Sequence, residues 1–195
     1  NNIGLNMKKI SIILFLFFII NACQPIEKID QVVFDNNQFS KFQILSNTIE
    51  VKEVFQKNIS EPYIGHTLEI GPSQRIINWI NNNFKKTGNE NSFTVNILNA
   101  SLTETQFENK QAKNFDEKTN YKYEIFYLIE FNLFDDSKNL IASTLVESSR
   151  STTSGLYISI QEKENIINDL VYQCLSDISI ESKKLLLKYM KDFIL

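Results

Sequence analysis

The apolar positions of this chain repeat with two different periods, and each change of period marks a new element. The strongest run is "NYKYEIFYLIEFNLFDD", in which Tyr121, Tyr123, Ile125, Tyr127, Ile129, Phe131 and Leu133 share one side of an extended chain. Lys122, Glu124, Glu130 and Asn132 lie opposite, with Phe126, Leu128 and Phe134 among them, so the spacing predicts a strand covered on one face and largely wet on the other. The turn residues Asp135 to Asn139 and a further strand over about 140–149 complete a predicted hairpin. Upstream, "FTVNIL" places Phe93, Val95 and Ile97 on one face, while "KFQIL" and "TIEVKEVF" also read as extended. The polar stretch 102–118 is expected to be a long loop.

Helical spacing governs two segments. "GPSQRIINWINNNFKKTG" carries Ile76, Ile77, Ile80 and Phe84 on one stripe with Trp79 beside it. Pro72 suits a first turn, Lys85 and Lys86 suit the negative end of the helix dipole, and Gly88 suits a left-handed cap. From the capping pattern Ser159-Ile160-Gln161-Glu162 onward, Ile167, Leu170, Val171, Cys174, Ile178, Leu185 and Tyr189 mark one long amphipathic helix. The order β-α-β-β-β-α predicts an α+β two-layer sandwich. Its mixed sheet of four to five strands carries both helices on one face, with a parallel crossover around the first helix and an antiparallel meander after it.

One apolar run fits neither period. In "MKKISIILFLFFIINACQPIEK" the stretch Ile10–Ile20 has about half of the roughly 20 residues needed to span a bilayer. It is preceded by Lys8 and Lys9 and followed by small residues, the anatomy of a secretory signal peptide. Ile20-Asn21-Ala22-Cys23 resembles the lipobox of bacterial lipoproteins, with Asn where Ser or Ala is commoner. That resemblance implies diacylglycerol on the Cys23 sulfur and cleavage just before it. Residues 1–22 are then upstream sequence and leader with a start at Met7, 23–40 a lipid-anchored tether, and 41–195 a single domain. Several acyl chains on one cysteine anchor a protein firmly, since each buried methylene contributes about 0.8 kcal/mol. Gln24, where a retention rule of some bacteria would require Asp, favours the outer membrane facing the periplasm over the inner membrane.

Charge and candidate chemistry narrow the function. The formal net charge is −3 and becomes −5 without Lys8 and Lys9, so there is no basic footprint for nucleic acid. Cys174 is the only other cysteine; on the helical stripe it reads as a packed, inert thiol. His66, in the loop "YIGH", is the only histidine, so a triad or histidine-bearing metal site would have to use it. Asp135 and Asp136 are explained by turn preference, and "SSRSTTSG" lacks phosphate-loop spacing. No catalytic or metal site and no cofactor is expected. Tyr63, His66 and Arg150 are the candidate partner-binding residues.

In pattern, the element order behind a lipobox resembles small envelope lipoproteins such as the lipopolysaccharide-assembly lipoprotein LptE and auxiliary lipoproteins of ABC lipid transporters. "EPYIGHTLEIGPSQRIINWINNNFKKTG" and "FTVNILNASL" are similar to uncharacterised lipoproteins of alphaproteobacteria. The resemblance implies the fold and the anchor and no reaction. The expected function is a non-enzymatic, membrane-anchored accessory of an envelope complex, with an envelope protein as partner; the alternative is a lipid-handling auxiliary component of an ABC-type transport system. Cells fed a clickable fatty acid should label the wild-type protein and leave Cys23→Ser unlabelled; equal labelling of both excludes the lipid anchor.

Overall fold

In the computed structural model the chain is described for residues 32–110 and 119–195. Cys23, the leader and residues 111–118 of the expected loop lie outside the described residues. The elements are β1 (Phe42–Ile44), β2 (Thr48–Glu53), α1 (Pro72–Asn83), β3 (Phe84–Lys86), β4 (Ser92–Glu108), β5 (Thr119–Phe134), β6 (Leu140–Gly155) and α2 (Ile160–Tyr189). A four-stranded sheet runs β2-β4-β5-β6, and β1 pairs with β3 in a separate two-stranded unit. β2 and β4 are parallel across the α1 crossover, whereas β4, β5 and β6 form an antiparallel meander. The fold is the expected α+β arrangement.

The alternation in β5 decides where the core lies. Tyr123, Ile125, Tyr127, Ile129, Phe131 and Leu133 are fully buried. Phe93 and Phe131 stack at 5.9 Å between ring centroids, and Phe84 stacks on Phe131 at the same separation. Both helices cover this face. The Tyr127 phenol donates to the Pro72 carbonyl of α1 at 3.4 Å, and Ser148 on β6 lies against Cys174 and Asp177 of α2.

Several elements differ from their sequence-based expectation. α1 stops at Asn83, and Phe84–Lys86 continue as a strand along β1. Phe84 stacks on Phe42 at 4.4 Å and packs edge-on to Trp79, a cluster that an extended chain reaches and another helical turn would not. Lys85 and Lys86 therefore sit on β3 and not at a helix end. Gly88 has no positive φ; its missing side chain matters because a Cβ there would lie 2.8 Å from the backbone of Leu45 and Ser46. Trp79 is fully buried and belongs to the inward stripe with Ile76 and Ile80, while Ile77 is only half-buried. On α2 the seam turns after Ile178 through Ser182 to Leu186, leaving Tyr189 exposed.

The strands are also longer than periodicity indicates. β4 runs through Glu108, so 102–108, expected to be loop, pairs with β5, and β6 runs to Gly155. Residues 32–40, polar enough to read as tether, lie on the domain: Phe39 is buried, Asn83 donates to the Asn36 carbonyl at 2.8 Å, and the Ser40 N–H donates to Ser179. On the outer sheet face Phe126, Leu128 and Phe134 are half-buried and form no exposed trio. Asn132, expected to be wet, is 7% exposed, and it and Asn96 both donate to the Glu130 carboxylate.

Ile129→Asp places an unpaired carboxylate in the core at a cost of several kcal/mol, which should lower Tm by about 10 °C. Ser149→Asp, on exposed β6 surface, should stay within about 0.5 kcal/mol of wild type. Equal melting temperatures would contradict the assignment of faces. Burial pushes the Cys174 thiol up from its ordinary 9.0 to about 11. Iodoacetamide at neutral pH should therefore modify Cys174 only in denaturant. Because the thiol ionises more easily when unfolded, its contribution is complete below pH 9 and is lost between pH 9 and about 11.

Candidate functional site

The outer edge of β4 is covered in two pieces with a gap between them. β2 accompanies the strand as far as Ile97, whose carbonyl accepts from Val54 N–H at 3.1 Å. Pairing resumes where Ile64 N–H donates to the Leu102 carbonyl and Glu104 N–H to the Pro62 carbonyl, both at 2.9 Å, with Tyr63 opposite Thr103. Between them β4 shifts register by one residue at Ile97/Asn99, a bulge that turns the strand and ends the first pairing. The intervening segment swings outward and encloses a cleft of about 450 Å³, within the range of ordinary ligand sites.

Four pieces of chain wall this cleft: the loop Phe55–Ile59, the turn at Gly65 and His66, the first turn of α1 from Gly71 to Gln74, and Asn99–Leu102 of β4. Phe55, Ile59, Leu68 and Leu102 provide apolar surface. Gly65 and Gly71 bring the turn and the helix start together, since a Cβ on Gly65 would stand 3.3 Å from the Pro72 ring and one on Gly71 3.3 Å from the Gly65 carbonyl. A side chain at either position would tighten the cleft at its narrow end.

The polar groups at that end are short of partners. Gly71 offers α1 no side-chain cap, so the N–H groups of Ser73 and Gln74 have no acceptor among the described residues. Ser73 is only 4% exposed, and its hydroxyl makes no hydrogen bond among them either. The side-chain oxygen of Asn99 is likewise buried without a partner. Such groups cost free energy unless something supplies their hydrogen bonds. Beneath them, burial holds the Tyr127 phenol well above its ordinary ionisation range, so it remains a neutral donor. No Asp or Glu lines the cleft. Lys57 is at the rim, paired with Glu53 at 2.7 Å, and His66 is exposed nearby. The arrangement is suited to an anionic or carbonyl oxygen at the helix start and to a donor at the Asn99 oxygen, with apolar substance behind them.

Tyr63 and His66 are thus brought together here, and Arg150 is not. Arg150 stands opposite Ile125 on the helix-facing side of β6. Its guanidinium donates to both carboxylate oxygens of Asp177 on α2, at 2.5 and 3.0 Å. That pairing raises its pKa above the ordinary value. Ser73, Asn99 and Lys57 are absent from the sequence-based candidates. One available signal was the slip in "FTVNILNASL", where apolar parity changes from odd at Ile97 to even at Ala100 and Leu102. Among the described residues no group of three or more His, Cys, Asp or Glu is placed to hold a metal ion.

No protein-family model matches the chain, and no curated protein matches it significantly. Among solved structures the chain is similar to a minor lipoprotein from Acinetobacter baumannii, at 8% identity and a TM-score of 0.39, over 72% of this chain and 90% of that one. It is also similar to a protein described as a neuraminyllactose-binding hemagglutinin homolog from Helicobacter pylori, at 10% identity and a TM-score of 0.38, over 73% and 88%. Likenesses this distant leave ligand and activity to be argued from the cleft.

Proposed function

We propose that this protein is a lipid-anchored, non-enzymatic accessory of a Gram-negative cell envelope, which holds a partner protein through the cleft at the start of α1. The observation that carries the reading is the joining of unpartnered polar groups, Ser73, Asn99 and two helix N–H groups, to an apolar wall in a gap of the sheet edge. The anchor rests on Lys8, Lys9, the apolar run and Cys23, and the outer membrane facing the periplasm is proposed from Gln24, which follows the cysteine. Among the described residues no helix is long and apolar enough to cross a membrane.

Arg150 enters this reading as a structural residue, since its donors are turned toward Asp177. A second reading, lipid handling within an ABC-type transport system, is favoured by the apolar wall of Phe55, Ile59, Leu68 and Leu102, along which an acyl chain could lie. The two readings share the cleft and differ in its occupant.

A photo-crosslinking residue at Gln56, an exposed position on the cleft, should capture one recurrent envelope protein in living cells. Ser73→Asp should abolish that capture, because a carboxylate in the first turn of α1 lies at the positive end of the helix and occupies the cleft, and Lys57→Glu, at an exposed rim position, should weaken it with Tm close to wild type. Arg150→Ala, which removes an exposed ion pair, should cost less than about 1 kcal/mol and retain the crosslink. Capture unaffected by Ser73→Asp would refute the cleft as the docking site. A lipid recovered in place of a protein would promote the second reading, and turnover abolished by one side-chain change would overturn both.

A further inference from the structure

We infer that the cleft binds the free C-terminus of an extended partner peptide, with its terminal carboxylate at the first turn of α1 and its last, apolar side chain against Phe55 and Ile59. The inference rests on the reading of the cleft as a partner's docking site and names the part of the partner that enters. Three features of the cleft select this occupant.

The first is charge. The chain carries 23 Asp and Glu residues against 20 Lys and Arg, yet none of the carboxylates lines the cleft. The groups that face it at the helix start are donors, the N–H groups of Ser73 and Gln74 and the Ser73 hydroxyl; Lys57, shared with Glu53, and His66 stand at the rim, and the Asn99 side-chain oxygen is an acceptor left for a donor of the incoming chain. A carboxylate offers two acceptor oxygens to these donors, and its charge is favoured at a helix N-terminus.

The second is Ser73 itself. It is 4% exposed and its hydroxyl makes no hydrogen bond among the described residues, although a helix-start serine ordinarily finds one. An acceptor brought into the cleft would satisfy it together with the two helix amides.

The third is main-chain geometry. The Leu102 carbonyl and the Glu104 N–H both point to the outer edge of β4. By strand alternation the N–H and C=O of Ala100 face the same edge, in the gap that β2 has left and Tyr63 has not yet filled. No backbone group among the described residues pairs with Ala100 on that side. An extended peptide entering the gap would gain these hydrogen bonds, as in recognition by strand addition. A small free acid would leave them unmade, which is why a peptide is the better fit.

The test uses full-length protein in detergent micelles and fluorescein-labelled octapeptide pools ending in Leu, Val or Phe, prepared both as free acids and as C-terminal amides. Fluorescence anisotropy should show the free acids binding about tenfold more tightly than the amides, the ratio that corresponds to about 1.4 kcal/mol. Ser73→Asp should remove the acid preference, and Lys57→Glu, at an exposed position that does not threaten folding, should weaken acid binding several-fold without affecting the amides. Equal binding of acid and amide pools, or an acid preference that survives in both variants, would overturn the inference. Displacement by octanoate without measurable binding of any peptide would overturn it in favour of a small amphipathic acid. The two proposals fail separately: a cleft-dependent crosslink with no acid preference leaves the docking site and removes the carboxylate, whereas acid-selective binding with a cleft-independent crosslink does the reverse.

Discussion

A single extra residue in β4, at the register shift between Ile97 and Asn99, is the constraint on which the rest of the domain depends. Before it, Phe93, Val95 and Ile97 point inward; after it, Ala100 and Leu102 do. Because side chains alternate strictly along a strand, an unshifted β4 would turn Asn99 and Ser101 into the core and Ala100 and Leu102 out of it. The bulge keeps Ala100 and Leu102 on the helix side with Phe93, Val95 and Ile97 in a 17-residue strand. It also ends the pairing with β2, so the same residue that preserves the core opens the edge beside it.

The start of α1 lies over that opening because of what is beneath and beside it. Tyr127, opposite Ala100 in the register, reaches up to the Pro72 carbonyl, and Gly65 and Gly71 allow turn and helix to approach closely. The helix therefore begins against the sheet with a glycine for its cap, which leaves its amides without a side-chain acceptor. Elsewhere the chain satisfies its helix ends in the usual way: Ser159 caps α2 by accepting from Glu162 N–H at 3.1 Å. The contrast between the two helix starts falls at the cleft, where the uncapped amides of α1 are joined by the unpartnered side-chain oxygen of Asn99.

Ion pairs flank α2 along its margins. Arg150 on β6 grips Asp177, and Lys163 in the first turn pairs with Glu104 of β4 beside the rings of Tyr121 and Tyr123. The buried seam of Ile167, Val171, Cys174 and Ile178 fixes how the 30-residue helix lies across the sheet, and the ion pairs at its margin account for the most conspicuous cation in the polar run of β6. A residue that reads as available for an anionic partner in a linear sequence is, in three dimensions, already committed to one.

What the sequence determined by itself was whatever depends on period and short-range chemistry. The buried face of β5, the parallel crossover, the meander, the capped start of α2 and the inert position of Cys174 all follow from spacing, because burial on one side of an element leaves its imprint on every second or every third to fourth residue. Tertiary structure decided the rest. α1 ends at Asn83 because Phe84 finds Phe42, Trp79 and Phe131, partners distant in sequence. Residues 102–108 form strand despite their polarity because β5 supplies the ladder. Asn132 is buried because Asn96 and Glu130 gather around it. Tyr63 and His66 could be singled out from a loop, but Ser73, Asn99 and Lys57 become a site only when the bulge, the helix start and the outward loop meet, and no local pattern records which distant segments will face one another across a gap.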